Sequence, residues 1–282
     1  MNAARHATRA AGAAPAAGAA APAIGSRHNA RVRQTAALLH AAVRAARGVI
    51  WVESRGCVGV ALDAGIAVRE LAVSEDAQAG VAALCNQARA RGIPVLRYTR
   101  ACFAKLTALR HPDGIGAVVA MPRLVPLDAI VAERTLVLWQ LQDPGNQGSI
   151  VRSAVALGCA SIVLVTPCAD AFHPACIRGS AGLLLRAQLT VCDARVARRW
   201  LAARTTETAV LSADGRGPLT NPARRAPRVL VVGNEARGIP ADLRTRCRSL
   251  AIPMHNGAES LNVNAATAIA LFALWNSAAV GV

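Results

Sequence analysis

Lysine is almost absent from this chain of 282 residues, Lys105 being the sole example. Acidic residues are also few: sixteen Asp and Glu face thirty-two Lys and Arg, and none precedes Glu53. Arginine with abundant alanine is the mark of a GC-rich coding sequence, which inflates Arg without a functional cause. The shortage of acids remains after that discount. The net charge of +16 therefore points to a polyanionic partner, nucleic acid before an anionic membrane surface. No run of about eighteen consecutive apolar residues occurs, which excludes a membrane-spanning helix. No two of the eight cysteines (Cys57, Cys85, Cys102, Cys159, Cys168, Cys176, Cys192 and Cys247) form a C-x-x-C pair. No Cys/His spacing fits zinc, so no metal site is nominated. The cysteines read as buried thiols in a reducing cytoplasm. Neither G-x-G-x-x-G nor G-x-x-x-x-G-K-[ST] is present, which excludes an ordinary dinucleotide or ATP site.

Residues 1–33 are Ala, Gly, Pro and Arg with few large apolar side chains. Such a stretch cannot bury enough surface to offset its ordering entropy and reads as a disordered basic tail. Its centre lacks the Leu/Val run of a secretory signal. From residue 34 the pattern changes. Helix is expected over Thr35–Arg47, Cys57–Ile66, Ala77–Arg91 and Ala101–Leu109, and strand over Gly48–Val52, Val68–Val73, Pro94–Tyr98 and Gly116–Met121. These make a small α/β unit, 34–121. Residues 122–134, with Pro122, Pro126 and a charge cluster, read as a linker. A second α/β unit, 135–282, follows. Its strands are expected at Thr135–Leu141, Ser161–Val165, Ala187–Cys192, Thr208–Ala213, Arg228–Val232 and Leu250–Ile252. Its helices are expected at Ser149–Leu157, Pro174–Leu185, Ala194–Thr205, Ala241–Arg246 and Ala265–Val280. Alternating strands and helices, with strands apolar throughout, predict a mostly parallel sheet covered on both faces.

Three loops leave strand ends in the second unit. Gln142-Asp143-Pro144-Gly145-Asn146-Gln147-Gly148 is a glycine-bearing turn opening a helix, whose free amides favour an anion. Arg152 is placed in the first turn of that helix, where a basic residue opposes the helix dipole. A charge so placed suggests a grip on phosphate; the plainer reading is an ion pair with Asp143. Gly233-Asn234-Glu235-Ala236-Arg237-Gly238 puts a carboxylate, Glu235, at the end of a buried strand. The plainer reading there is a solvated turn. The third loop runs from Ile252-Pro253-Met254 through Gly257 to Ser260-Leu261-Asn262, where Ser260 or Asn262 is placed to cap an apolar helix. Polar groups at the carboxyl ends of strands in an open α/β sheet mark a ligand site.

In order and spacing these loops resemble the SpoU/TrmH branch of the SPOUT methyltransferases, which methylate the ribose 2′-hydroxyl of RNA. The first loop with Arg152 resembles the family's first motif, Gly233-Asn234-Glu235 with Gly238 the second, and Ile252-Pro253-Met254 with Ser260-Leu261-Asn262 the third. Arg178-Gly179-Ser180-Ala181-Gly182 adds to the match, and residues 48–121 resemble, more weakly, a ribosomal-protein-like substrate-binding domain. Asn264 and Ala187-Gln188 depart from the family's usual Ser and proline-containing segment.

The resemblance implies an α/β fold with a trefoil-knotted catalytic domain behind that small substrate-binding domain. It implies S-adenosylmethionine as cofactor, held at Gly233, Asn234, Gly238, Ile252, Ser260, Leu261 and Asn262, with Asn146, Arg152 and Glu235 as catalytic positions. It implies a homodimer through the knotted domain and an RNA substrate, ribosomal in preference to transfer RNA. Neither membrane nor metal is expected. The alternatives are a transfer-RNA enzyme or a non-catalytic RNA-binding relative acting in ribosome assembly.

Overall fold

A computed structural model describes residues 22–130, 133–215, 217–219, 225–234 and 236–275. Residues 1–21 of the expected tail lie outside these. The first unit holds four strands: β1 (Val49–Glu53), β2 (Val68–Ser74), β3 (Val95–Tyr98) and β4 (Ile115–Ala120). They lie in the order β1-β4-β2-β3. Only β2 and β3 are parallel, since β4 runs antiparallel to both β1 and β2. Successive strand residues face opposite sides. Ile50, Val52 and Leu71 therefore face the helices α3 (Arg55–Asp63) and α4 (Val81–Ala90). Val49, Trp51 and Ala72 face a second layer containing Val32, Leu38 and Phe103. The Trp51 ring lies where a side chain on Gly116 would be, 2.1 Å from its Cβ position.

That second layer corrects the extent of the tail. Ile24 pairs with Tyr98 at the β3 edge, donating to Arg97 O at 2.8 Å and accepting from Thr99 N at 3.1 Å. The Asn29 side chain caps α1 (Ala30–Ala36), and Val32 is buried. Two apolar residues and an open strand edge suffice to order residues 22–33, which an average over the whole segment conceals. The single helix expected over Thr35–Arg47 is broken. A 3-10 turn at Ala37–Leu39 and an extended His40 precede α2 (Ala41–Arg47). The short helix α5 (Arg100–Phe103) follows β3.

Among the described residues the second sheet has seven strands, all parallel: β5 (Thr135–Trp139), β6 (Ser161–Thr166), β7 (Gln188–Asp193), β8 (Thr208–Leu211), β9 (Gly217–Pro218), β10 (Val229–Gly233) and β11 (Arg248–Ala251). Their order is β7-β6-β5-β10-β8-β11-β9. On one face Leu136, Leu138, Leu164 and Val232 meet Ile150 and Val151 of α6 (Pro144–Ala156), Ile177 of α7 (Pro174–Gly179) and Leu271 of α10 (Val263–Trp275). On the other, Val137, Val163 and Val231 meet Trp200 of α8 (Ala194–Ala202) and Leu243 of α9 (Ala241–Arg246). The stretch read as a linker is anchored. Val125 donates to Leu189 O at 2.7 Å, and its carbonyl accepts from the Thr190 hydroxyl at 2.6 Å, so the chain covers the exposed edge of β7.

Helix α6 begins five residues earlier than expected, at Pro144 instead of Ser149. The Asp143 carboxylate accepts from Asn146 N at 2.6 Å, and proline suits the first helical position. Arg152 consequently sits in mid-helix, and no argument from the dipole at the first turn applies to it. Nor does it pair with Asp143, which serves as the cap. Gly145 and Gly148 are helical, and Gly148 with Gly179 of α7 permits the two helices to approach. A Cβ on Gly148 would lie 2.3 Å from Cys176 O, and one on Gly179 3.0 Å from Gly145 O. Gly148→Ala is expected to lower stability by about 1–3 kcal/mol through overpacking, read as a lower denaturant midpoint. An unchanged midpoint would show that this approach is slack.

Candidate active site

Because β8, β10 and β11 are parallel neighbours, their carboxyl ends open on one side of the sheet. There they enclose a cavity of about 480 Å³. Gly233, Asn234, Gly238, Ile252, Ser260, Leu261 and Asn262 all line it, although they come from two separated loops and a helix start. Gly233 is required by its own loop: a Cβ there would lie 2.5 Å from the Gly238 carbonyl carbon. Gly238 takes a positive φ of +62°, as the return of the chain demands.

The Asn234 side chain makes three bonds that fold its own loop. Its oxygen accepts from Ala236 N at 2.9 Å and Arg237 N at 3.0 Å, and its amide donates to Gln140 O at 2.9 Å. It thus folds the loop after β10 and ties it to the end of β5. The choice of cap for α10 falls on Asn262, whose oxygen accepts from Asn264 N at 2.9 Å. Between β11 and α10, Asn256 and Gly257 both have positive φ, and Ala258 N donates to His255 O at 3.2 Å. This is a type I′ turn. Gly257 is half of an Asn-Gly turn signal.

Leu211, Ser212 and Ala213 at the end of β8, with Met254 and Glu259, also line the cavity and were missed from sequence. The available signal was Asp214-Gly215. Gly215 lies against β11, with its Cβ position 2.4 Å from the Leu250 carbonyl carbon, so the β8 loop must turn across that strand.

Asn146 and Arg152 do not line the cavity. They lie on α6, which packs against α10; Asn146 is in its first turn and Arg152 in its interior. Arg152 is exposed and has no ion pair with any described residue. Glu235 lies outside the described residues. All eight cysteines are free. Burial pushes the Cys176 thiol up to about 12 and Cys159 up to about 11, so neither offers a thiolate near neutrality.

Residues 133–272 match the SpoU rRNA Methylase family, and residues 57–125 match the RNA 2′-O ribose methyltransferase substrate binding family. The chain is 32% identical over 194 residues to the 23S rRNA (guanosine(2553)-2′-O)-methyltransferase RlmP of Bacillus subtilis, covering 65% of this chain and 73% of that protein. It is 34% identical over 207 residues to the 23S rRNA (guanosine-2′-O-)-methyltransferase RlmB of Xanthomonas axonopodis pv. citri, covering 66% and 79%. The crystal structure of an AdoMet-bound rRNA methyltransferase from Sinorhizobium meliloti superimposes with a TM-score of 0.77 at 28% identity, covering 90% of this chain and 97% of that one.

Asn234→Asp keeps the two accepted bonds and loses the one donated to Gln140 O. The expected cost is about 1–3 kcal/mol, measured by chemical denaturation. Stability equal to the parent's would show that the tie between β10 and β5 does not hold the loop.

Proposed function

We propose, from the premise that the chain belongs to the SpoU rRNA methylase family, that it transfers a methyl group from S-adenosylmethionine to a ribose 2′-hydroxyl of ribosomal RNA. The observation that carries this reading is the convergence of Gly233, Asn234 and Gly238, of Ile252 and Met254, and of residues 259–263 on one cavity at the ends of parallel strands. Its volume of about 480 Å³ suits a small organic cofactor, for which sites of ~300–1,000 Å³ are usual. The walls combine apolar Leu211, Val232 and Ile252 with small polar residues. With the Asn234 oxygen bound within its own loop, backbone groups and short polar side chains are placed to read a ligand's polar edge. This composition fits S-adenosylmethionine, which when bound supplies an electrophilic methyl group on a sulfonium.

Arg152 is assigned to clamp the phosphate beside the target ribose, which fixes the hydroxyl for in-line attack. A guanidinium keeps its proton to above about pH 12 and is ill suited to act as the base. Glu235 is assigned as the carboxylate of more suitable basicity, and Asn146 to position the ribose. Residues 34–121 would hold the RNA as a ribosomal-protein-like unit, joined through 122–134 to a knotted methyltransferase unit, 135–282.

A homodimer belongs to the same proposal. Helix α10 is apolar almost throughout, yet Ile269 and Phe272 are 42% and 46% exposed, and Leu261 beside the cavity is 40% exposed. A helix apolar all round is ordinarily buried, which supports a second copy covering this face. No helix among the described residues is long and apolar enough to cross a membrane; the cytoplasm is the proposed location.

Arg152→Ala is expected to bind S-adenosylmethionine with an affinity within about threefold of the parent's, while methyl transfer falls on the order of 100-fold, the cost of a misplaced reactant. Calorimetry and a turnover assay measure the two. Lost cofactor binding in a normally folded variant would contradict this division of roles.

A further inference from the structure

We propose that two ion pairs, Arg178–Glu53 and Arg44–Asp170, lock the RNA-holding unit onto the helix that carries Asn146 and Arg152. They would thereby set where bound RNA presents its ribose. The inference rests on the methyltransferase reading above and adds to it four positioning residues.

The pairs are reciprocal. In one, an arginine of the second unit meets an acid of the first; in the other, an arginine of the first meets an acid of the second. Glu53 ends β1 and is 2% exposed, with one carboxylate oxygen lacking a hydrogen-bond partner among the described residues. Arg44 is equally buried and also donates to Leu38 O at 2.8 Å. Burying such charges costs more than their attraction returns unless every remaining group is satisfied, so stability alone favours apolar residues at these positions. Holding register is the use of a buried pair that fits these positions. The backbone beside Glu53 carries the same sign of constraint: Ser54 has φ +83° and ψ 150°, a region other residues leave to glycine. Between the pairs, Gly182 rests on α3, its Cβ position 3.0 Å from Cys57 Cα, and Cys57 Sγ lies 3.7 Å from Ile177 O.

Both anchors lead to α6. Arg178 is on α7, which meets α6 through Gly148 and Gly179 with no room for a methyl group. Asp170 lies in the loop after β6, where the neighbouring Ala169 carbonyl accepts from the Gln147 side chain of α6 at 3.2 Å. Gln147 is fully buried. A shift of the first unit would therefore be transmitted to the helix bearing the proposed catalytic side chains by two independent routes. Arg44 and Glu53 precede residue 57, where the substrate-binding family match begins. The lock is thus made partly from sequence outside both family matches.

The test uses the full chain with Glu53→Gln, which keeps the shape, Asp170→Asn, whose site is 37% exposed and tolerant, and both together. Affinities for ribosomal RNA and for S-adenosylmethionine should stay within about threefold of the parent's. The turnover of the double variant should fall on the order of 100-fold, because reactants are bound but misplaced. Spin labels introduced at exposed Arg89 and Arg199 should report a broader distance distribution in the variants. Parental turnover in variants that merely melt earlier would overturn the proposal. So would a distribution as narrow as the parent's. If the parent binds cofactor but methylates no ribosomal RNA, the functional reading fails by itself, and the distance measurement still decides whether the pairs lock the units. If Glu53→Gln does not fold, Asp170→Asn decides alone.

Discussion

A strand inserted between two parallel neighbours brings its carboxyl end beside theirs. β10 is such a strand, paired in parallel with β5 on one side and β8 on the other. All five of its residues are buried. At about 1.5–3 kcal/mol for each fully buried aliphatic side chain, its placement is far more strongly determined than any loop that leaves it. The site inherits that stability. Gly233 is packed against its own returning loop, Gly215 crosses β11 at backbone contact, and Asn234 bonds across to Gln140. The cavity exists because the backbone ends there, and few side chains are needed to shape it.

The chemistry has a different support. Asn146 and Arg152 are carried by α6, whose position follows from glycines that bring α7 close and from a cap at Asp143. Under the proposed function, one helix would hold the charge that meets the RNA, while strand ends would hold the space for the small molecule. The excess of arginine fits this arrangement. Charge of one sign distributed over a surface attracts a phosphate backbone without specifying a sequence, so selectivity has to come from geometry, including how the two units are held together.

Much of this was legible in the order of residues. Continuous apolar runs announced the parallel strands, since a strand buried on both faces needs no polar alternation. The residues of the second and third loops that line the cavity could be named through the resemblance of those loops to the family's motifs. Four things were hidden. The start of α6 was obscured by Gly145 and Gly148, which look like a turn until α7 is seen against them. The ordering of residues 22–33 depended on Ile24 finding a strand edge far away in sequence. The first sheet is mixed because β4 returns antiparallel between β1 and β2, and alternating strands and helices alone do not reveal direction. The carboxyl end of β8 was passed over because its signal, Asp214-Gly215, is an ordinary turn dipeptide until β11 lies beneath it.

The central claim is methyl transfer to a ribose of ribosomal RNA. Its most direct measurement is transfer of radiolabelled methyl from S-adenosylmethionine to ribosomal RNA, naked and in assembled subunits, beside total transfer RNA. The account predicts label in ribosomal RNA alone, at a single ribose whose 3′ linkage resists alkali. Label in transfer RNA alone would contradict the substrate. Absence of both label and cofactor binding would contradict the enzyme and leave a protein that only grips RNA.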